Sequence, residues 1–267
     1  VVDQNADDRL VNLVARYAGR LEITHIRHSP RGLSRSRNAG LAVARGTAVA
    51  FADDDCRYRP DTIARVAAFF VSEPGADGMT GRAVAAPGQR APARFARNAH
   101  WLSRRSVFVG GMSCVIFLRA ELCARIGQFD EKLGLGAPPP WTAAEETDYL
   151  ARAVAAGARI RYEPELVVEH PGPGGVCTAT LVARGATYGR AFGYVLRRHG
   201  ADRSHFHALV MRALAGAAIA LVRGRIDLMH YHWAVARGRV KGWCEGERTG
   251  ASAPAVVVGA ADSANAP

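Results

Sequence analysis

The residues best suited to chemistry begin with three adjacent carboxylates. Asp53, Asp54 and Asp55 directly follow an apolar run at residues 47–52. Neighbouring carboxylates raise one another's pKa unless a positive charge lies among them. Oxygen ligands of this type suit Mg²⁺ or Mn²⁺, which often also bind substrate phosphates. The cluster therefore predicts a divalent-cation site, and the simpler alternative is one helix-capping Asp with two solvated neighbours.

A second acidic cluster begins a predicted helix after a loop with three consecutive prolines. The cluster consists of Glu145, Glu146 and Asp148, close to the start of this helix. Negative charge is favourable at a helix N-terminus, so capping is again the alternative explanation. One carboxylate suffices for a cap, however, and three are present. We therefore expect at least one of them to face a cleft as a general base.

A histidine and three arginines are further candidates. His170 ends a predicted strand, where a neutral imidazole could complete a mixed Asp/His metal site, although a lone His is more often structural. Arg35 and Arg37 belong to a predicted helix, Arg31 directly precedes it, and all three could face a diphosphate. The alternative for any two of these arginines is a solvated helix face.

The elements that must position these residues alternate between strand and helix. This alternation predicts an α/β fold with a mostly parallel, Rossmann-like sheet covered by helices. Ligands collect at the carboxyl ends of strands in such sheets, where Asp3 and residues 53–55 fall. Helices are predicted at 7–18, 32–44, 60–70, 93–105, 119–126 and 143–156, and strands at 21–26, 47–52, 112–118 and as two short strands around Pro164.

The sequence changes character after residue 175. Three helices are predicted at 178–199, 205–222 and 226–243, followed by a disordered tail at 250–267. Residues 206–222 are almost entirely apolar but fall at the lower limit of a spanning length. A buried or interfacial helix is therefore favoured over a transmembrane one.

Charge is concentrated in the same C-terminal quarter. The chain has a net charge of +11, and residues 176–250 contain twelve Arg or Lys against four Asp or Glu. This excess predicts an anionic partner, namely a membrane surface, a nucleic acid or a phosphate-bearing substrate.

Composition limits the remaining classes. With 267 residues, 49% hydrophobic and 22% charged, the sequence is typical of a folded globular protein. Five cysteines without a CxxC pair argue against a disulfide framework or structural zinc and favour a reducing compartment. Acidic residues within the first eight positions argue against a signal peptide there.

Six segments, in order, resemble inverting family-2 glycosyltransferases of the GT-A fold. Residues 1–8 resemble the family's "VVDNGSxD" strand end, 32–46 resemble "GxxxARNxGxxxARG", 51–55 resemble the "FLDDD" form of the DxD motif, 111–136 resemble the acceptor-side segment with "GGFDExLG", 144–150 resemble "GEDTDL", and 162–170 resemble "YxPxAxVxH". The resemblance covers residues 1 to about 198. It also implies a first strand and helix before Val1, for which this sequence has no counterpart.

The resemblance implies a role for each matching residue. Asp3 would contact the nucleobase, Asp54 the ribose, and Arg37 and Asn38 would lie beside the nucleotide. Asp53, Asp55 and His170 would hold Mg²⁺ or Mn²⁺. Glu146 would be the catalytic base, in a place where the family more often has Asp, so Glu145 or Asp148 could share the role.

The resemblance further implies an organisation and an activity. A GT-A catalytic domain would span residues 1–175 and be N-terminally incomplete. A basic helical extension that could associate with a membrane would span residues 176–249. The enzyme would transfer a hexose-type sugar, with inversion, from a nucleotide-diphosphate sugar to a glycan or lipid-linked acceptor in cell-envelope, polysaccharide or glycolipid synthesis. We expect a cytoplasmic protein, peripheral on an anionic membrane surface, with no nucleic acid partner.

Two other functions are left open by the sequence. A nucleotidyltransferase can use a similar sheet and metal aspartates, although no Gly-rich basic phosphate loop is found. An inactive relative acting as a basic membrane-binding protein would account for the C-terminal charge. That alternative would not account for the ordered acidic clusters.

Overall fold

The computed structural model describes residues 1–85, 94–172 and 179–247. Within these ranges the α-helices are α1 (Val11–Ala15), α2 (Leu33–Val43), α3 (Thr62–Ser72), α4 (Ala120–Ile126), α5 (Glu145–Ala155), α6 (Ala179–Arg198), α7 (Arg203–Val222) and α8 (Ile226–Glu245). The strands are β1 (Val2–Asp3), β2 (Ile26–Arg27), β3 (Ala48–Ala50), β4 (Arg57–Tyr58), β5 (Gly78–Val84), β6 (His100–Trp101), β7 (Ile116–Arg119) and β8 (Ile160–Glu169). The predicted disordered tail at 250–267 lies outside the described residues.

The strands form a six-stranded mixed sheet and a separate parallel pair. The main sheet has the order β3-β7-β5-β8-β4, with β6 also paired to β8, and β1 pairs with β2. The α/β class and the helical C-terminal part are as predicted. The strand directions are not mostly parallel: among the described strands only β1–β2 and β5–β8 run parallel, because β7 runs against both of its neighbours.

The predicted helix at 93–105 is wrong. Its described part contains β6, which pairs antiparallel with β8, followed by turns. The guanidinium carbons of Arg159 and Arg161 lie 4.6 and 5.5 Å from the centroid of the Trp101 ring. Trp101 therefore stacks on Arg161 across the strand pair and on the neighbouring Arg159.

Two further elements differ from prediction. The two short strands expected around Pro164 form the single strand β8, whose register with β5 shifts between Thr80 and Arg82. The Pro164 carbonyl accepts a hydrogen bond from Arg82 Nε at 2.7 Å, so the shifted region remains tied to the sheet. The first helix has only five residues, and its apolar Val11 and Leu13 are exposed.

The main core lies between the sheet and the helices α5, α6 and α7. Leu118, Ile160, Leu150 and Val195 are fully buried there, together with Leu122 of α4. Helix α5 forms because Tyr149, Leu150 and Ala153 share its inner face, and it is followed by Gly157 at a φ of 82°. This packing holds the N-terminus of α5 against the sheet.

Glycines bring α6 and α8 into backbone contact. We call this set the glycine seam: Gly185, Gly189 and Gly193 of α6, with Gly238 and Gly242 of α8. A Cβ added at Gly189 would lie 2.5 Å from the Val235 carbonyl oxygen, and one at Gly242 would overlap the Arg190 carbonyl oxygen. Only glycine permits this approach, and the spacing of four residues keeps the glycines on one helix face.

Helix α7 is half packed and half exposed. It is the one helix of the described residues that is long and apolar enough to cross a membrane, with a mean hydropathy of 1.6 and a third of that window buried. Phe206, Leu209 and Ala213 are buried, whereas Leu221 and Val222 at its end are exposed. One face of α7, which also includes the buried Ala217 and Ala220, therefore packs against the rest of the protein.

Candidate active site

Both acidic clusters open on one cleft of about 530 Å³. The turn after β3 contributes Asp53, Asp54 and Asp55, and the start of α5 contributes Glu145 and Glu146. The remaining wall comes from His170 and from α6 and α8, which contribute Arg184, Tyr188, Phe192, Tyr231, Val235 and Arg239. Segments more than a hundred residues apart thus complete a single site.

Arg37 links the two clusters. Its Nη1 donates to Glu145 Oε1 at 2.8 Å and its Nη2 to Asp53 Oδ1 at 3.2 Å. The side chain is 8% exposed, and its guanidinium lies 5.5 Å from the Phe129 ring centroid. Helix α2 positions it, and the N–H of Leu33 at the start of that helix donates to the Leu135 carbonyl. One nearly buried cation therefore compensates one carboxylate of each cluster.

Glu146 is the carboxyl group best suited to take a proton. It lines the cleft and is only partly exposed, and it follows Ala144, whose left-handed φ of 68° begins the helix. Burial raises the pKa of Glu146 to about 8, the charge of Glu145 adds to the rise, and Arg37 opposes it. A carboxylate with a raised pKa is a stronger base than an ordinary Glu. Its role as the base stays a prediction.

Asp148 points away from the cleft. Its Oδ1 meets His199 Nε2 at 2.8 Å, and its Oδ2 accepts from Arg152 Nε at 3.0 Å. Burial favours a raised pKa for Asp148, but the His199 hydrogen bond and the charges of Arg152 and Arg198 hold that pKa below its usual value. These contacts connect α5 to the end of α6 and give Asp148 a structural role. The structure therefore does not support Asp148 as part of the catalytic base.

Asp55 and His170 have the donor chemistry of a divalent-cation site. His170 Nε2 lies 3.4 Å from Asp55 Oδ1, and His170 Nδ1 lies 2.7 Å from the Pro171 carbonyl oxygen. A carbonyl only accepts, so Nδ1 carries a proton, and Nε2 is the ring nitrogen that faces Asp55. An imidazole nitrogen beside a carboxylate is a ligand pair that suits Mn²⁺.

The other two aspartates of this cluster differ from Asp55. Asp53 accepts from Ser113 Oγ at 2.7 Å as well as from Arg37, whereas Asp54 is exposed in the cleft. Among the described residues, no group of three His, Cys, Asp or Glu side chains is arranged around a common metal position. The predicted set of Asp53, Asp55 and His170 therefore lines one cleft, but its three side chains do not surround a common metal position, and Asp53 is held by Arg37 and Ser113.

Asp3 and Asn38 lie outside the cleft lining. Asp3 ends β1, is 2% exposed, and accepts from the Asn5 backbone N–H at 2.9 Å and from Arg27 Nη1 at 3.1 Å. The Asn5 hydrogen bond is the largest cause that lowers the pKa of Asp3 to about 2. Asn38 is buried and exchanges two hydrogen bonds with the Phe129 backbone. Their contacts with a nucleotide stay predictions.

Several lining residues were missed by the sequence analysis. Ser113, Arg184, Tyr188, Phe192 and Arg239 were not among its candidates. A signal was present, because the cleft residues recur every fourth position at 184, 188 and 192 and again at 231, 235 and 239. This spacing places each set on one helix face.

Comparison with known proteins agrees with the resemblance seen in the sequence. Residues 1–113 match the family model described as "Glycosyl transferase family 2". None of the curated proteins compared with the sequence matches it. The family match supports the resemblance to family-2 glycosyltransferases over residues 1–113.

Solved structures share the fold. Crystallised TarS 1-349 from S. aureus aligns with a TM-score of 0.55 and 16% identity, over 91% of this chain and 78% of that one. TarS 1-349 in complex with UDP-GlcNAc gives 0.54 and 17%, over 90% and 82%. The mannosyltransferase PcManGT from Pyrobaculum calidifontis, in complex with GDP-Man and Mn²⁺, gives 0.54 and 16%, over 90% and 76%. The fold is therefore that of GT-A glycosyltransferases with a helical C-terminal part.

Proposed function

We propose that the protein transfers a sugar, with inversion, from a nucleotide-diphosphate sugar to an acceptor hydroxyl. The observation that carries the proposal is the single cleft shared by the raised-pKa carboxyl of Glu146 and the Asp55–His170 pair. The family match and the fold support glycosyl transfer itself. Inversion requires a base for the acceptor hydroxyl, and Glu146 is the candidate for it.

The donor is assigned by its chemistry. Related folds bind UDP-GlcNAc in TarS and GDP-Man with Mn²⁺ in PcManGT, which supports a nucleotide-diphosphate sugar here. In the proposed complex Arg37 and Asp54 lie beside the nucleotide in the cleft, and the contacts of Asp3 and Asn38 with the nucleotide stay sequence-based predictions.

The reaction is derived from the chain's own groups. Glu146 accepts the proton of the acceptor hydroxyl as that oxygen attacks the anomeric carbon, while Arg37 keeps Glu145 and Asp53 in place. Asp55 and His170, joined by Asp53, would hold Mg²⁺ or Mn²⁺, which when bound neutralises charge on the leaving diphosphate, an effect of several kcal/mol. A positioned base contributes about 10²- to 10⁴-fold in rate.

Nucleotide release is the direct test. Purified protein is incubated with UDP-GlcNAc or GDP-Man and Mn²⁺ or Mg²⁺, and free UDP or GDP is measured. We expect cation-dependent release that falls at least about 100-fold in Asp55→Asn, since the leaving group loses its compensation. Asp61→Asn is the matched control, because Asp61 is an exposed aspartate paired only with Arg65. Release that survives both EDTA and Asp55→Asn would contradict the metal site.

We also propose that the C-terminal helices place the protein on the cytoplasmic side of an anionic membrane, where a lipid-linked acceptor is available. Exposed Leu221, Val222 and Ile226 surround the turn between α7 and α8, next to exposed Arg223 and Arg225. Apolar and basic groups together suit an anionic lipid surface, where each basic residue contributes about 1 kcal/mol. This location would agree with a role in cell-envelope or glycolipid synthesis.

Vesicle sedimentation tests this location. The protein should sediment with anionic vesicles at low salt, less so at high salt, and little with neutral vesicles. Val222→Ser should weaken binding, whereas Val71→Ser, which changes an exposed valine of α3, should not. Equal partitioning to both vesicle types, or to neither, would exclude the electrostatic attachment.

A further inference from the structure

Two arginines of the cleft wall have no carboxylate partner among the described residues. Arg239 of α8 donates from Nη1 to the Leu209 carbonyl at 2.6 Å and lies 5.2 Å from the Phe192 ring centroid. Its Nε is buried without a hydrogen-bond partner within the described chain. Arg184 of α6 is exposed and lies over the Tyr188 ring at 4.8 Å. Both line the cleft.

Other arginines at or near the cleft are compensated. Arg37 is paired with Glu145 and Asp53, Arg190 with Glu245, and Arg198 with Asp130. Arg239 is different, because burial and, to a lesser extent, the positive charge of Arg212 lower its pKa to about 10. A largely buried guanidinium with an unused donor costs free energy, and an oxyanion would remove that cost.

We propose that Arg239 and Arg184 bind an anionic group, a phosphate, carried by the acceptor. The inference rests on the proposed function. In that function the carboxylates of the turn after β3 bind the donor, so the wall formed by α6 and α8 is left for the acceptor. Tyr188, Phe192 and Tyr231 line the same wall and give it faces on which a sugar ring or an apolar chain can pack. Guanidinium groups match phosphate oxygens through paired N–H donors.

Calorimetric titration of phosphate esters into the full chain, without nucleotide sugar or metal, tests the subsite. The ligands are hexyl phosphate, sorbitol 6-phosphate and uncharged hexanol. Tighter binding of hexyl phosphate indicates a lipid-linked phosphate, tighter binding of sorbitol 6-phosphate indicates a glycan phosphate, and either supports the subsite. Binding of hexanol as tight as that of hexyl phosphate would refute it.

Variants locate the binding. Loss of a charge-assisted contact predicts about tenfold weaker binding of the tighter ester in Arg239→Gln and a smaller loss in Arg184→Gln. Arg237→Gln is the matched control, because Arg237 is an exposed residue of α8, like Arg239 a member of that helix, and its substitution removes the same charge. Arg184 is exposed, so Arg184→Gln keeps the test valid if Arg239→Gln does not fold. Unchanged affinity in both cleft variants, or an equal loss in Arg237→Gln, would refute the subsite.

Nucleotide binding separates this inference from the proposed function. UDP and GDP with Mn²⁺ are titrated into the same variants, and their affinities should remain within about twofold of the parent protein. If Arg239→Gln weakens nucleotide binding and leaves ester binding intact, Arg239 serves the donor and the inference fails. If the parent protein binds the ester through Arg239 but releases no nucleotide from any donor, the proposed function fails while the anion subsite stands.

Discussion

At the scale of single residues, Arg37 has the largest energetic consequence in the cleft. Arg37→Met removes the cation that compensates Glu145, which is nearly buried, and Asp53, which is partly buried. Breaking a buried pair by removing one partner costs about 3–5 kcal/mol, so urea denaturation should show a loss of that size. Arg35→Met is the control, because Arg35 forms an exposed pair with Glu131 and should lose about 1 kcal/mol or less. Equal losses would contradict the linking role.

The ionisation of Glu146 makes a prediction about activity. The base must be ionised, and its pKa is about 8, so kcat/KM should rise with pH through about 8. Glu146→Gln should lower kcat by about 10²- to 10⁴-fold with nucleotide binding nearly unchanged, as measured by steady-state kinetics and titration. If Glu146→Gln keeps the activity and the pH profile of the parent protein, another group is the catalytic base.

The same ionisation predicts the pH dependence of stability. The pKa is raised from 4.5 in the unfolded chain to about 8 in the folded protein, so the folded state binds more protons between these values. Stability should therefore fall as pH rises through this window. Thermal melts at pH 5 to 8 should show a flatter profile for Glu146→Gln than for the parent. Parallel profiles would show that Glu146 titrates normally.

Single residues also show how far the sequence could predict the site. Residue type and neighbours made Asp55 and His170 candidates for one site, whereas the choice of Glu146 among three carboxylates came from the family resemblance; all three residues line the cleft. The contacts of Asp148 and Asn38 were beyond reach, because their partners, His199 and Phe129, are 51 and 91 residues away. Hydrogen bonds between such distant segments exist only once the fold has formed.

At the scale of elements, the glycine seam determines the wall of the cleft. Gly242→Ala would place a methyl group against the Arg190 carbonyl, and overpacking of this kind costs about 1–3 kcal/mol. Gly19→Ala is the control, because an added Cβ at Gly19 meets no atom within 4 Å. Urea denaturation should show a clear loss for the first and less than about 0.5 kcal/mol for the second. A stable Gly242→Ala protein would mean that α6 and α8 can separate without cost.

Elements with a strong internal pattern were the ones predicted well. Helices α2, α3 and α5 to α8 have an apolar periodicity or composition of their own. The directions of the strands were predicted poorly, because pairing depends on which strand lies alongside. Residues 100 and 101 form a strand only because they pair with β8, which is distant in the sequence.

At the scale of the whole molecule, ligand binding should be visible as stability. A nucleotide diphosphate that binds only the folded protein stabilises it by about 2.7 kcal/mol at a hundred times its Kd. Thermal unfolding should therefore shift upward with UDP or GDP in the presence of Mn²⁺, and EDTA should reduce the shift. Asp55→Asn should show the reduced shift even with Mn²⁺ present. A thermal shift of the same size with and without the cation would contradict this prediction, because the nucleotide would then bind independently of the metal.

The glycine seam has a consequence for the evolution and redesign of the site. Backbone contacts at Gly189, Gly193, Gly238 and Gly242 set the spacing of α6 and α8, which carry the cleft side chains at 184, 188, 192, 231, 235 and 239; of these, Tyr231 and Val235 also pack on Gly185. Those positions line the cleft in two parallel rows on a support of fixed shape. Substrate preference can therefore diverge by exchanging these side chains, without disturbing the carboxylates across the cleft. A combinatorial library restricted to these six positions is the economical route to new acceptors.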